Sequence, residues 1–150
     1  MTQANPDFAG RTYPPGEPLL IDAVKVREFA QATGNTHPAH HDAAAARSLG
    51  YRDIAAPPTF LVSLAQAAEA QYINDPDASI DFSRVVHSDE SFQLHRPIIA
   101  GDELTPTLTV VAVRSVGPHS MVSTRVDFAD TDGAEVASVG SSLVIRGEEA

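Results

Sequence analysis

The chain has 150 residues, of which 43% are hydrophobic and 20% charged, and its formal net charge is −10 at pH 7. This composition predicts one domain over residues 1–150 with a single hydrophobic core, and the 10 Lys and Arg residues are too few and too scattered for a nucleic-acid binder. With no apolar run of roughly 18 residues, no secretory signal pattern and no Cys, we expect a cytoplasmic protein that has no disulfides and does not contact membranes.

The first third of the sequence predicts short elements separated by loops. Residues 1–16 hold three prolines and two glycines without periodicity, which predicts an irregular lead-in. Leu19–Ile21 is typical of a short strand, and Asp22 is a suitable N-cap for a helix that ends before Gly34. A second short helix is predicted over residues 43–49.

The middle of the chain predicts a helix that is buried on nearly every side. Pro57 and Pro58 can open it, because proline loses nothing in the first helical turn, and the helical pattern runs from about Thr59 to Gln71. Its apolar residues leave almost no polar face, and they are Phe60, Leu61, Val62, Leu64, Ala65, Ala67 and Ala68. We therefore expect the remaining elements to wrap around this helix.

Long strands are predicted after this helix. They are Arg84–Arg96, Leu104–Val116, His119–Asp130 and Ala134–Arg146. Apolar and polar residues alternate in the third, as in a strand with one buried face. The short turns at Gly117-Pro118 and Asp130–Gly133 favour antiparallel hairpins, and the lack of strand–helix alternation argues against a parallel sheet. The predicted fold class is α+β, with an antiparallel sheet around a central helix.

The loop Gly34–Asp42 contains three of the six histidines, at His37, His40 and His41. Histidine is the side chain whose proton moves most easily near neutral pH, so a cluster in a loop favours acid–base chemistry. A metal site is an alternative, because imidazole and carboxylate suit zinc, although the spacing is crowded. A structural histidine bonded to the backbone is another alternative. The loop alone leaves these alternatives open.

The sequence carries family motifs in this loop and in two later segments. The loop is similar to Gly-Asp-x-Asn-Pro-x-His-x-Asp, and Ile54–Phe60 contains Ala-Pro-Pro-Thr-Phe. Phe92–Leu104 contains Arg-Pro-x-x-x-Gly-Asp-x-Leu. Together, these segments resemble the MaoC-type hot-dog family of (R)-3-hydroxyacyl-thioester dehydratases and hydratases. The Ala-Pro-Pro-Thr-Phe segment resembles in particular the family's actinobacterial, fatty-acid-synthase-like N-terminal dehydratase branch.

This resemblance implies a single hot-dog domain, in which an antiparallel sheet wraps around a long central helix, and no cofactor. The implied reaction removes water from a 3-hydroxyacyl thioester on acyl carrier protein or CoA, or adds it back, in fatty-acid or polyketide biosynthesis. Members of this branch often form one half of a heterodimer, so the implied partners are the acyl thioester and a homologous hot-dog subunit, in a hetero- or homodimer. The reaction needs an acid–base pair and backbone N–H donors at the thioester oxygen.

The resemblance places His40 on the family's catalytic histidine and Asn35 where its catalytic aspartate belongs. An asparagine can hydrogen-bond a water or hydroxyl but cannot take a proton. Pro58 stands where a glycine commonly supplies the oxyanion N–H; proline has none, so Thr59 is the implied backbone donor. The residues that the resemblance implies for substrate binding are His37, Pro58 and Phe60.

These departures predict an acyl-binding subunit whose partner carries the complete Asp/His set. One alternative is a self-sufficient (R)-specific dehydratase or enoyl hydratase that uses His40. A second is a hot-dog thioesterase, which needs a water activated by a carboxylate. Phe60 could line an acyl tunnel or fill the core around the helix. The arginines that could receive an acidic carrier protein or a CoA phosphate are Arg84, Arg96 and Arg114.

Overall fold

The computed structural model describes residues 3–148. Its strands are Leu19–Leu20 (β1), Val85–Leu94 (β2), Glu103–Val116 (β3), His119–Ala129 (β4) and Glu135–Ile145 (β5). Its α-helices are Ala23–Ala32 (α1), Ala43–Ser48 (α2) and Val62–Ile73 (α3). The strands form one antiparallel sheet in the order β1-β3-β4-β5-β2, which confirms the predicted α+β class.

The core lies between α3 and the sheet face that carries the apolar residues. Along β4 the buried positions alternate with less buried ones, as the sequence pattern predicted. These side chains pack against α3, which contacts β3 and β4. Members of the main core from the helix and three strands are Ala65, Tyr72, Leu108, Val126 and Val139.

The central helix begins later than predicted, at Val62 rather than near Thr59. The residue before a proline is disfavoured in the helical region, so Pro57 is an unfavourable first residue for a helix. The next residues form turns instead, in which the Pro57 carbonyl accepts from the Phe60 N–H at 2.9 Å.

The same helix is not buried all round. Gln66, Ala67 and Gln71 are exposed. Alanine makes a helix look apolar in sequence although it has little side-chain surface to bury, so an alanine-rich pattern overstates burial.

The N-terminal segment covers the β3 side of the sheet. It has one 3-10 turn, Pro6–Phe8, and residues after this turn are bonded to β3, where the Gly10 N–H donates to the Val110 carbonyl at 2.7 Å. Phe8 is 1% exposed and belongs to the core. The predicted irregular lead-in therefore has little regular structure but packs tightly; its first two residues lie outside the described range. Within residues 3–148 no helix is long and apolar enough to cross a bilayer.

Candidate active site

The histidine loop folds as a 3-10 turn, Pro38–His40, between α1 and α2. His37 is the N-cap of this turn, and its Nδ1 accepts a hydrogen bond from the Ala39 N–H at 3.2 Å. Asp42 caps α2, because its Oδ1 accepts from the Ala45 N–H at 2.8 Å. Two polar side chains of the loop are thus used to start local helical turns.

His40 is held by one backbone carbonyl. Its Nδ1 lies 2.6 Å from the carbonyl oxygen of Ala55, and because a carbonyl only accepts, Nδ1 carries the hydrogen and donates it. In the neutral ring Nε2 then keeps its lone pair and can accept a proton. Ala55 is itself fixed, since its N–H donates to the Ala39 carbonyl at 3.0 Å and it forms a bridge with Ile99. The tautomer and position of the half-buried His40 ring are therefore set by the backbone.

His40 lines a cleft of about 550 Å³ between the histidine loop, residues 55–58 and the end of β2. His37 and Pro58 line the same cleft, and so do Tyr51 and Arg96. None of the described residues that line it is an Asp or Glu. The cleft thus contains a candidate base without a neighbouring carboxylate.

The other predicted site residues lie outside this lining. The side-chain oxygen of Asn35 accepts from the His37 N–H at 3.2 Å, so the amide is used to shape the loop. Thr59 is exposed, and its backbone N–H makes no hydrogen bond within residues 3–148. Phe60 is 5% exposed and packs edge-on against Phe29 at 5.6 Å between ring centroids, in the main core. The roles expected for these residues stay predictions.

The Arg-Pro-x-x-x-Gly-Asp motif forms a turn beside the cleft, and a buried carboxylate holds this turn together. Asp102 is 7% exposed, and its carboxylate accepts from Arg52 at 2.9 Å, Arg96 at 2.8 Å and the Ile99 N–H at 2.8 Å. Burial alone raises the pKa of Asp102, but these hydrogen bonds outweigh it and hold the pKa below its ordinary value. Arg96 therefore anchors the turn and lines the cleft as well.

Sequence reasoning missed a second polar group inside the core, Glu69 on α3. It is 2% exposed, and its Oε2 accepts from the Thr124 hydroxyl at 2.6 Å while Oε1 lies 3.7 Å from His87 Nε2. Burial is the main cause that raises its pKa above the ordinary value. The signal was present in the sequence, because Glu69 is the one charged residue between Phe60 and Tyr72.

The alternative of a metal centre has no geometric support in the part of the chain that the structure describes. No group of three or more His, Asp or Glu side chains there is arranged to hold a metal ion. The rings of His37 and His40 lie 5.6 Å apart between centroids, and the Nδ1 atom of each ring is bonded to a different backbone group.

Comparison with known sequences gives one family. A family model described as the FAS1-like dehydratase domain region matches residues 7–139. A UPF0336 protein of Clavibacter michiganensis is 47% identical over 146 residues, which cover 97% of this chain and 98% of the relative. A UPF0336 protein of Leifsonia xyli is 45% identical over 149 residues, covering 99% of this chain and 100% of the relative.

Comparison with solved structures gives the same fold. A MaoC-like dehydratase superimposes with a TM-score of 0.86 and 32% identity over 93% of this chain, which spans only 42% of that longer protein. The C-terminally truncated HadBC complex, a 3R-hydroxyacyl-ACP dehydratase from Mycobacterium tuberculosis, superimposes with a TM-score of 0.83 and 30% identity, covering 92% of this chain and 97% of the matched chain. These similarities confirm the hot-dog fold and the MaoC-like resemblance.

Proposed function

The chain belongs to the family of FAS1-like dehydratase domains, and from that premise we propose that it is one subunit of a hydro-lyase acting on 3-hydroxyacyl thioesters. The substrate would be carried by acyl carrier protein or CoA, in fatty-acid or polyketide biosynthesis. The similarity to a 3R-hydroxyacyl-ACP dehydratase complex supports this reaction class. We propose further that the whole chain acts as a single hot-dog domain.

The geometry of His40 supports the acid–base part of this chemistry. In the dehydration, a base removes a proton from carbon 2 of the acyl chain, and an acid protonates the hydroxyl that leaves carbon 3 as water. With Nδ1–H bonded to the Ala55 carbonyl, Nε2 is the ring atom available to accept or return a proton. The cleft beside it provides room for the acyl thioester.

The observation that carries the subunit proposal is the missing carboxylate. None of the described residues lining the His40 cleft is an Asp or Glu, and the Asn35 amide is bonded within its own loop. Pro58, which lines the cleft, has no N–H to donate to a thioester oxygen. Half of the acid–base pair must then come from elsewhere, and the oxyanion donor must be a group other than Pro58, such as the Thr59 N–H. We therefore assign this chain the role of acyl-binding subunit in a heterodimer with a homologous hot-dog subunit.

Hydration of crotonyl-CoA and crotonyl–acyl carrier protein by the purified chain tests this assignment. The assay is repeated with a homologous subunit that has an intact Gly-Asp-x-Asn-Pro-x-His loop. We expect little turnover by the chain alone and a large increase with the partner. Robust turnover by the chain alone that is lost in His40→Ala contradicts the subunit role and favours the self-sufficient enzyme. No turnover even with the competent partner contradicts the dehydratase function.

A further inference from the structure

The His40 cleft is cationic although the protein is acidic. The formal net charge is −10 at pH 7, yet none of the described residues that line the cleft is an Asp or Glu. The polar side chains of this lining are His37, His40, Tyr51, His95 and Arg96. Arg96 is the one permanent cation among them, because a guanidinium is not deprotonated in proteins. An oxygen that becomes negative during a reaction would therefore be stabilised best beside Arg96.

The guanidinium of Arg96 is held at one nitrogen and has free donors at the others. Its Nη1 donates to Asp102 Oδ2 at 2.8 Å and to the Pro97 carbonyl at 3.0 Å. Within residues 3–148, the N–H groups on Nε and Nη2 make no hydrogen bond. The side chain is 36% exposed and lines the cleft, so these N–H groups remain available to a ligand.

Asp102 does not cancel the positive charge beside the cleft. Its Oδ1 accepts from Arg52 Nη2 at 2.9 Å, so one carboxylate is shared between two guanidinium groups. The pKa of Asp102 lies below its ordinary value, so the carboxyl stays ionised near neutral pH. Two guanidinium groups and one carboxylate leave one net positive charge. Water screens the 69% exposed Arg52, whereas Arg96 is more enclosed and lines the cleft.

One short stretch of backbone positions both His40 and Arg96. The Ala55 carbonyl oxygen lies 2.6 Å from His40 Nδ1. The next residue, Ala56, donates its N–H to the Ile98 carbonyl at 2.8 Å, two residues after Arg96. The imidazole and the guanidinium are thus anchored to adjacent residues and line the same cleft. A base and a fixed positive charge are the two groups that proton removal next to a carbonyl requires.

The turns that precede α3 do not place a backbone donor in the lining of the cleft. Pro58 lines it but has no N–H, and Thr59 is not among the described residues that line it. When a base removes the carbon 2 proton of a 3-hydroxyacyl thioester, the electron pair of the C–H bond moves to the thioester group, and the carbonyl oxygen becomes an enolate. The pair then forms the double bond between carbons 2 and 3, as the hydroxyl leaves with a proton as water. The enolate oxygen needs a donor while it is negative.

We propose that Arg96 supplies this donor: its Nε and Nη2 N–H groups bind the thioester oxygen and stabilise the enolate that forms beside His40. The inference rests on the proposed function, because it takes an acyl thioester as the ligand of the cleft. Asp102 then has a positioning role, since its carboxylate holds Nη1 and leaves the other N–H groups to the substrate.

Acetoacetyl-CoA is the probe, because its enolate absorbs in the near ultraviolet and its keto form does not. Crotonyl-CoA is the neutral reference, since it has the same carrier and a thioester carbonyl. We expect binding to the purified wild-type chain to raise the enolate fraction of acetoacetyl-CoA at least about 10-fold over that of the free compound at the same pH. One oxyanion donor contributes on the order of 10²–10³-fold, so this gain is within its range. Binding without any gain in enolate overturns the proposal.

The matched variants are Arg96→Gln and Arg52→Gln. Both remove a hydrogen bond to Asp102, but Arg52 does not line the cleft. We expect Arg96→Gln to lower the enolate fraction at least about 10-fold and to weaken crotonyl-CoA binding by a smaller factor, because hydrogen bonds to a charged oxygen are the stronger ones. Arg52→Gln should leave the enolate fraction unchanged. An unchanged enolate fraction in Arg96→Gln, or an equal loss in both variants, overturns the proposal.

Arg96→Lys covers the case in which the glutamine variant does not fold. Lysine keeps a positive charge and a donor for Asp102 but lacks the planar fork, so we expect a folded protein whose enolate fraction is at least about 3-fold below that of the wild type. A folded lysine variant with the wild-type enolate fraction contradicts the role of the fork.

The two thioesters also separate this inference from the proposed function. Crotonyl-CoA that binds while acetoacetyl-CoA gives no enolate contradicts the role of Arg96 alone. Failure of both thioesters to bind contradicts the proposed function and this inference together.

Discussion

Two side chains of the histidine loop differ in how much of their hydrogen-bonding capacity the backbone uses. His40 donates a hydrogen bond from Nδ1 to the Ala55 carbonyl, which leaves Nε2 available. Asn35 uses its side-chain oxygen as an acceptor for the His37 N–H. A carboxylate at position 35 could keep that acceptor with one oxygen and offer the second to a substrate hydroxyl. Substituting Asn35 by aspartate therefore tests whether a carboxylate at this position supplies the group that the cleft lacks.

The first prediction tests this with Asn35→Asp. A positioned acid–base group contributes on the order of 10²–10⁴-fold in rate, so we expect a gain of at least about 10-fold in crotonyl-CoA hydration by the chain alone. Asn5→Asp is the matched control, because the Asn5 side-chain oxygen also accepts from a backbone N–H two residues later, at 3.0 Å. No gain in Asn35→Asp, or an equal gain in both variants, contradicts the role assigned to position 35.

The ionised form of the buried Glu69 side chain destabilises the folded state. Since burial raises its pKa above the unfolded value, its contribution to stability is complete below the unfolded pKa and is lost as the pH rises through the folded pKa. Glu69→Gln keeps an acceptor for the Thr124 hydroxyl and removes the charge. We expect it to raise the free energy of unfolding at pH 7 by about 1 kcal/mol, measured by urea denaturation. An exposed control, Glu28→Gln, should change stability little, and destabilisation by Glu69→Gln would refute the prediction.

At the scale of elements, the turn between β2 and β3 depends on Asp102. Because its folded pKa is lowered, its contribution to stability is present above the unfolded pKa and is lost as the pH falls through the folded pKa. We expect Asp102→Asn to lower the free energy of unfolding at pH 7 by about 2 kcal/mol, through weaker bonds to two guanidinium groups. The same substitution should remove part of the acid sensitivity of the wild type. A loss below a few tenths of a kcal/mol would show that the arginines are not anchored by this carboxylate.

The strands were predictable because their burial alternates with the side-chain period of two. Val122, Val126 and Phe128 on β4 are all at most 1% exposed, which is the pattern that the sequence displays. The start of α3 was predicted too early, because proline in the first helical turn favours a helix start whereas residues 58–61 form turns ahead of Val62.

The candidate site was predictable only in its local part. The spacing of the sequence predicts that His40 lies in a loop before a short helix. Aspartate is a common N-cap residue, and Asp42 does cap that helix. That Ala55 supplies the carbonyl for His40, and that Arg96 reaches the same cleft, depends on contacts between segments distant in sequence. Phe60 illustrates the limit most clearly, because an aromatic side chain at a helix start fits a substrate tunnel and a packed core equally well in sequence.

At the scale of the whole molecule, the charge of −10 at pH 7 and the two buried carboxyls act on stability together. Net charge that is far from zero destabilises a compact protein through self-repulsion, and this repulsion vanishes near the pI of about 4.8. The buried Glu69 carboxyl also makes the fold more stable at acidic pH, because its pKa is raised. The contribution of Asp102 to stability is lost only when the pH falls through its lowered pKa. We therefore expect the wild type to be more stable at about pH 5 than at about pH 8.

Salt separates the two causes of that difference. In about 1 M NaCl the Debye length is about 3 Å, so repulsion between surface carboxylates is screened while the buried Glu69 is not. Urea denaturation of the wild type and Glu69→Gln, each with and without salt, gives four comparisons of the free energy of unfolding at the two pH values. We expect salt to remove part of the pH dependence in both proteins and the substitution to remove the remainder. A wild-type pH dependence that salt abolishes completely would assign it to surface repulsion alone and leave Glu69 without an effect on stability.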